Sequence, residues 1–268
     1  MTGFVKSQED VLVRILRDRR KDVAVAKRSV AVNELFCLIE QRVEYSSLSK
    51  ALLHSPAPRI IAEVKKASPS AGLLRTSFDP AALAQAYVSG GAVAISVLTE
   101  RNYFQGSQAD LKAVRRCVTV PVLRKDFMVD SYQLIEAAAW GADVVLLIAA
   151  ALTQGQCALL YKESRELGLE AIVEVHTAEE LKVALACNEA IIGVNNRNLK
   201  TLTTDLSVSY DLAKRIPKDR ICITESGIKT REDILGLQDV GYKGFLIGES
   251  LLRETSPGKA LKALRTSV

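Results

Sequence analysis

From residue 59 onward, short β-branched runs alternate with longer amphipathic stretches eight times, and few folds accommodate that alternation. The runs are RIIAEV (59–64), AVAISVL (92–98), VPVLRK (120–125), DVVLLI (143–148), EAIVEV (170–175), AIIGVN (190–195), RICITE (220–225) and GFLIG (244–248). Strands alternating with helix-length connections are the pattern of βα units around a parallel sheet. The connections carry helix starts at Asp79-Pro80, Asp130, Thr153, Thr177 and Thr230, and glycines 90, 141, 168 and 241 fall where helices should stop. An open doubly wound sheet would place a glycine-rich phosphate turn after its first strand, and KKASPSAGLL is not one. The expected fold is therefore α/β, a TIM (β/α)8 barrel over residues 59–268. Residues 1–58 read as an N-terminal helical extension, with helices over about 6–25 and 31–48, capping one end of the barrel. No linker divides the chain, so one domain is expected.

Composition excludes several classes. With 268 residues, 48% of them hydrophobic, the chain can bury a core that needs no metal or disulfide. Its five cysteines are odd in number, scattered, and form no CxxC pair, which reads as reduced packing residues in a cytoplasmic protein. The N-terminal MTGFVKSQEDVLVRIL is too charged for a secretory signal, and no run approaches the roughly 18 apolar residues of a membrane span. The net charge of +5 is concentrated in Arg14, Arg17, Arg19, Arg20, Lys21, Lys27 and Arg28. That stretch has helical spacing and no interleaved aromatics, so it reads as a solvated helix face near the barrel mouth. Neither a nucleic acid nor a membrane is expected as partner, and a monomer is expected.

In such barrels the active site lies at the C-terminal ends of the strands. Side chains alternate across a strand, so Ile61, Glu63 and Lys65 share one face while Ile60, Ala62 and Val64 share the other. The same count pairs Leu123 with Lys125, Ile172 with Glu174, Gly193 with Asn195 and Arg197, and Ile223 with Glu225. Five strands thus end in charged or amide groups above an apolar run. An ion-pair lattice plugging the barrel is one reading, but so many buried ionisable groups at one end are costly unless they work. Two lysines and three glutamates make an acid–base set.

A second constellation suits an anion. Strand 7 ends in Glu225-Ser226-Gly227-Ile228, and strand 8 in Gly248-Glu249-Ser250-Leu251-Leu252, which opens a short helix at once. Glycines there admit backbone N–H groups close to a phosphate, and the helix aims its positive end at it. Ser68 could close the site with its hydroxyl. Tyr103-Phe104 and Phe127 follow strands 2 and 3 on the rim, as packing or stacking residues. His54 and His176 lack a third ligand nearby and read as structural, so no metal site is expected.

IAEVKKASPSAG, LTERNYFQGS, VLRKDFMVD, VEVHT, GVNNRNLKTL, ITESGI and FLIGESLL, in that order, closely resemble the indole-3-glycerol phosphate synthase family from about residue 59 to 265. The resemblance implies cyclisation of 1-(2-carboxyphenylamino)-1-deoxyribulose 5-phosphate with loss of carbon dioxide and water, without cofactor or metal. It implies Lys125 as general acid, Glu174 as the acid–base partner in dehydration, and Lys65 as the counter-ion of the anthranilate carboxylate. Glu63 and Asn195 would orient the lysines and the sugar hydroxyls, with Arg197 supporting the cluster. Ser68, Gly227, Gly248 and the Glu249 backbone would hold the phosphate, with Glu225 and Ser226 also in the substrate-binding set. Phe104, Phe127 and Leu199 would wall the aromatic ring. Glu249 stands where some family members have serine, and its side chain is expected to turn away from the phosphate. Three rivals are weighed: a phosphoribosylanthranilate isomerase, which would need a cysteine ending strand 1; a Schiff-base aldolase using Lys125 or Lys65; and a metabolite-binding barrel without activity, against which the intact Lys125 and Glu174 speak.

Overall fold

The structure, a computed structural model, describes residues 10–42 and 44–266. Three helices precede the first strand: α1 (Val11–Ser29), α2 (Val32–Glu40) and α3 (Leu48–His54). Eight parallel strands then close into a barrel: β1 (Ile60–Val64), β2 (Ala94–Leu98), β3 (Val122–Lys125), β4 (Val144–Ile148), β5 (Glu170–Val175), β6 (Ile191–Asn195), β7 (Cys222–Glu225) and β8 (Gly244–Ile247). Each strand pairs with its successor, and β8 closes on β1, so that Ile61 lies opposite both Ala94 and Leu246. The crossover helices are α4 (Pro80–Ser89), α5 (Gln108–Cys117), α6 (Ser131–Trp140), α7 (Gln154–Glu166), α8 (Ala178–Leu185), α9 (Ser207–Ala213) and α10 (Arg231–Asp239); α11 (Glu249–Leu252) and α12 (Pro257–Arg265) follow β8. A short antiparallel ladder, Ala67–Ser68 against Gly72–Leu73, folds the loop after β1.

The expected caps form. Asp79 accepts from the Ala81 and Ala82 amides at 3.0 Å, Asp130 from Tyr132 at 2.9 Å and Thr177 from Glu180 at 3.2 Å. Each such cap stabilises its helix by about 1 kcal/mol. Gly141 ends α6 at φ 94°, and a Cβ there would lie 2.7 Å from Arg115 Cγ. The pair Gly90-Gly91 divides its work differently from the expectation. Gly90 stays right-handed and lets α12 approach, a Cβ there lying 2.4 Å from the Gly258 carbonyl oxygen, while Gly91 takes the positive φ of 97°.

Strand parity sorts the core. Ile61, Leu123, Ile172 and Ile223 point into the barrel, whereas Ile60, Ala62, Val64 and Val122 pack outward against the helices. The N-terminal extension departs from the sequence expectation in its helix bounds and in its reach, which is to both ends of the barrel and not to one. The stretch 31–48 is not one helix, because Ser47 starts a new one: its hydroxyl accepts from the Lys50 amide at 3.1 Å, and Glu170, at the start of β5, takes the Leu48 and Ser49 amides at 2.6 and 3.0 Å. α1 is capped by Asp10 and runs to Ser29, beyond the expected end; positions 6–9 of the expected helix lie outside the described residues. The extension reaches both ends of the barrel. Leu48 and Leu52 of α3 join the inner cluster at the bottom, while α1 touches the loops after β2 and β3 at the top.

The basic stretch of α1 is not uniformly solvated either. Arg19 is buried against Asp126, and Arg14 stacks on Tyr103 with its guanidinium carbon 5.6 Å from the ring centre. Among the described residues no helix is long and apolar enough to cross a membrane.

Candidate active site

The inward residues of the odd-numbered strands form two stacked layers. The lower layer is Ile61, Leu123, Ile172 and Ile223, and two residues further along the same strands come Glu63, Lys125, Glu174 and Glu225. Side chains from alternate strands share a layer in a closed barrel of this shear, so strand pairs that never touch through their backbones meet at its centre. The polar layer floors a cavity of about 910 Å³ at the C-terminal ends of the strands.

Lys125 is the hub. Its Nζ lies 3.0 Å from Glu225 Oε2 and 3.5 Å from Glu174 Oε2, with the lysine side chain only 14% exposed. Lys65 pairs with Glu63 beside it. Burial pushes the Glu225 carboxyl up to about 7, with Lys125 opposing the rise and Glu174 adding to it. Burial works against ionised Glu174 as well, but Lys125 and then His176 outweigh it and hold that carboxyl below the usual range. Glu63 is lowered in the same way, its burial outweighed chiefly by Lys65 and Lys125. Burial disfavours the Lys125 ammonium, yet Glu225, Glu174 and Glu63 together raise it above an ordinary lysine. The cluster therefore holds a charged lysine between one ionised carboxylate and one carboxyl that keeps its proton near neutrality.

The upper wall is built by loops. Asn195, ending β6, accepts from the Arg197 amide at 2.9 Å; the Arg197 guanidinium donates to the Leu202 carbonyl at 2.9 Å and to Ser70 Oγ at 3.3 Å. Phe104 and Phe127 face each other across 6.1 Å with planes tilted by 41°, and Leu199 lines the same cavity. Ser226 and Gly227 both take positive φ, 67° and 84°, so the chain turns sharply after β7. A non-glycine residue in that region costs about 1 kcal/mol or more, and such strain concentrates at functional sites. Gly248 passes so close to Glu63 that a Cβ would lie 2.4 Å from its Oε1, and α11 starts at the next residue.

Fourteen of the fifteen residues expected from sequence line the cavity; Ser68 does not. Its hydroxyl accepts from the Ala71 amide at 3.2 Å and shapes the loop after β1, which presents Ser70 and Ala71 instead. Glu249 lines the cavity without projecting alone into it: Oε1 pairs with Arg253 at 2.7 Å, and Oε2 lies 3.5 Å from Arg197. The Arg253 pairing was available to sequence reasoning, because i,i+4 partners share a helix face. Also missed were Leu146 and Ile148 of β4, which the same alternation points inward but which carry no charge to draw notice. The sequence alone reads His176 as structural, yet Nε2 lies 3.4 Å from Glu174 Oε1. Among the described residues, no three His, Cys, Asp or Glu side chains converge in a metal-holding group.

Known proteins resemble the chain over nearly its whole length. A family profile described as indole-3-glycerol phosphate synthase matches residues 12–264. Proteins of that name from Kineococcus radiotolerans and Rhodospirillum rubrum are 48% and 45% identical to the chain, covering 95% of it in both cases and 94% and 98% of themselves. Among solved structures, a thiamine phosphate pyrophosphorylase and a tryptophan synthase α-subunit, both from Pyrococcus furiosus, superpose with TM-scores of 0.60 and 0.58 at 14% and 17% identity. They cover 81% and 77% of this chain and 96% and 97% of their own, and at such identity they speak for the barrel alone. On profile and relatives together, the chain belongs to the indole-3-glycerol phosphate synthase family, carboxy-lyases of tryptophan biosynthesis.

Proposed function

We propose that the cavity closes the indole ring of 1-(2-carboxyphenylamino)-1-deoxyribulose 5-phosphate, with Lys125 as general acid and Glu174 as the acid–base group of the dehydration. The observation that carries this reading is the position of Lys125 between Glu225 and Glu174. A charged ammonium held between two buried carboxyl groups donates a proton to a developing alkoxide, and it is a poor nucleophile because its lone pair is occupied. General acid work fits it better than a Schiff base does.

The roles follow from place. The phosphate is held at the turn after β7, by Ser226 and Gly227, and at the start of α11, by Gly248 and the Glu249 backbone. Phe104, Phe127 and Leu199 flank the anthranilate ring. Lys65, oriented by Glu63, takes the ring carboxylate before it leaves, and Asn195 and Arg197 take the sugar hydroxyls. Glu225 holds the Lys125 ammonium in place. Anchoring at both ends keeps the reacting carbons together, which lowers the barrier by several kcal/mol or more, on the order seen for intramolecular reactions. The carboxylate leaves as neutral carbon dioxide and the hydroxyl as water, so each turnover consumes one proton.

Incubation of the protein with this substrate, followed by indole fluorescence and carbon dioxide release, tests the reading. Absence of both products refutes it. Borohydride added during turnover separates the mechanisms: a covalent substrate adduct on Lys125 or Lys65 would replace the general acid with an imine.

A further inference from the structure

We propose that His176, held by Glu180, is the proton relay that connects the buried Glu174 carboxyl to solvent. The inference rests on the role given to Glu174 above and adds a route for the proton that each turnover consumes.

The geometry is a line of three side chains. Glu180 Oε2 lies 3.0 Å from His176 Nδ1 and also accepts the His176 backbone amide at 2.8 Å, which fixes the ring at the start of α8. The opposite ring nitrogen, Nε2, is buried without a hydrogen-bond partner and faces Glu174 Oε1 at 3.4 Å. A ring that served only to brace α8 would need its Nδ1 edge alone. It would not keep an unpartnered buried nitrogen aimed at the acid–base carboxyl. Exposure rises along the line, from 2% at Glu174 to 12% at His176 and 21% at Glu180, so the three groups lead from the buried floor of the cavity towards solvent.

The charges favour a protonated ring. Glu174 faces it from its own strand, Glu180 from the first turn of α8, and Glu225 from β7; Lys125 stands behind Glu174, and Asn195 of β6 is neutral. Burial disfavours the imidazolium, but Glu180 and Glu174, with a smaller contribution from Glu225, outweigh it and raise the ring above an ordinary histidine. The imidazolium gives its Nε2 proton to the Glu174 carboxylate: the N–H bond breaks, an O–H bond forms, and the neutral ring keeps its Nδ1 proton on Glu180. The neutral ring, 12% exposed, then swings off Glu180, turns its free nitrogen to solvent and regains a proton from water or a buffer acid. One proton enters per cycle, matching the reaction's demand.

The test uses His176→Asn, which keeps a hydrogen-bonding amide but carries no titratable proton, with Glu180→Gln as a milder second variant. For His176→Asn, kcat at pH 8 is expected to fall on the order of ten-fold or more, and to fall further with rising pH as proton supply thins. Added imidazole at fixed pH and ionic strength restores part of that loss, while the wild-type rate stays indifferent to buffer concentration. Glu180→Gln shows the same pattern with a smaller loss. Binding of the product, indole-3-glycerol phosphate, stays unchanged by calorimetry, which verifies an intact site. An unchanged kcat in His176→Asn would overturn the relay, as would a loss that ignores buffer and runs parallel to wild type in pH. Glu174→Gln run beside it separates the two readings: near wild-type turnover there removes the acid–base role itself, whereas an inactive Glu174→Gln with a buffer-indifferent His176→Asn removes the relay alone.

Discussion

Arg19 of α1 donates to Asp126 Oδ2 at 2.7 Å across 107 residues of sequence, and Asp126 directly follows Lys125. The same oxygen accepts from Thr99 Oγ1 at 2.6 Å and lies 3.2 Å from Arg124, while Oδ1 accepts from the Phe127 amide at 2.8 Å. α1 also holds the loop after β2, through Asp22 to Arg101 and through Asp18 to the Tyr103 hydroxyl. The N-terminal helix therefore fastens the two loops that carry Phe104 and Phe127. Removing Arg19 deletes a charge-assisted hydrogen bond worth about 1.5–3 kcal/mol, while Arg124 and Thr99 still satisfy Asp126. Arg19→Ala should lose stability of that order by urea unfolding, and kcat/KM should fall although Arg19 is remote from the substrate.

Lys125→Ala and Glu174→Gln should each lower kcat by about 10²–10⁴-fold while leaving binding of a phosphate ester within a few-fold of wild type. Steady-state kinetics with calorimetric binding checks both. A variant that kept near wild-type kcat would show its role to be misassigned.

The raised Glu225 carboxyl predicts a pH effect of definite sign. Its usual value is 4.5 and its folded value about 7, so between those limits the folded protein holds a proton that the unfolded chain has released. Stability from this group is full below the lower limit and declines as pH rises towards the upper one. Glu225→Gln removes that slope. Denaturation from pH 5 to 8 should show the variant gaining on wild type, by an amount on the order of 2 kcal/mol after allowance for its coupling to Lys125. An equal pH dependence in both proteins would refute the assignment.

Gly248→Ala tests the close approach of β8 to β1. The new methyl would lie 2.4 Å from Glu63 Oε1 and 2.9 Å from its Cβ, so Glu63 must move and Lys65 loses its partner. Stability should also fall, by about 1–3 kcal/mol, because the clash reaches the Cβ of a buried side chain and separates it from Lys65. KM should rise and kcat/KM should fall by about 10².

Leu52→Ala provides the converse case. Leu52 is fully buried at the bottom of the barrel, against Gly244 and far from the polar layer. The variant should lose about 2–5 kcal/mol of stability and keep kcat at temperatures where it remains folded.

Much of this was legible along the chain. The eight strands, the five helix starts and the inward parity of Glu63, Lys125, Glu174 and Glu225 follow from local periodicity and capping chemistry, which reach only a few residues. The two turns at Ser226-Gly227 and Gly248-Glu249 were visible for the same reason. The break at Ser47 was not, because its strongest partner, Glu170, comes from the start of a distant strand.

Which charged groups touch was decided by closure of the barrel. Lys125 is nearer to Glu225 than to Glu174, Arg19 leaves the solvated face for Asp126, and His176 aims a free nitrogen at Glu174. None of these follows from spacing, since strand tilt and shear set which alternate strands share a layer. The sequence by itself determined the strands, the face each residue occupies and the inventory of acids and bases. Only the tertiary structure decided their partners, and with them which carboxyl keeps its proton, because that choice depends on burial and on distances of a few ångströms between strands far apart in the chain.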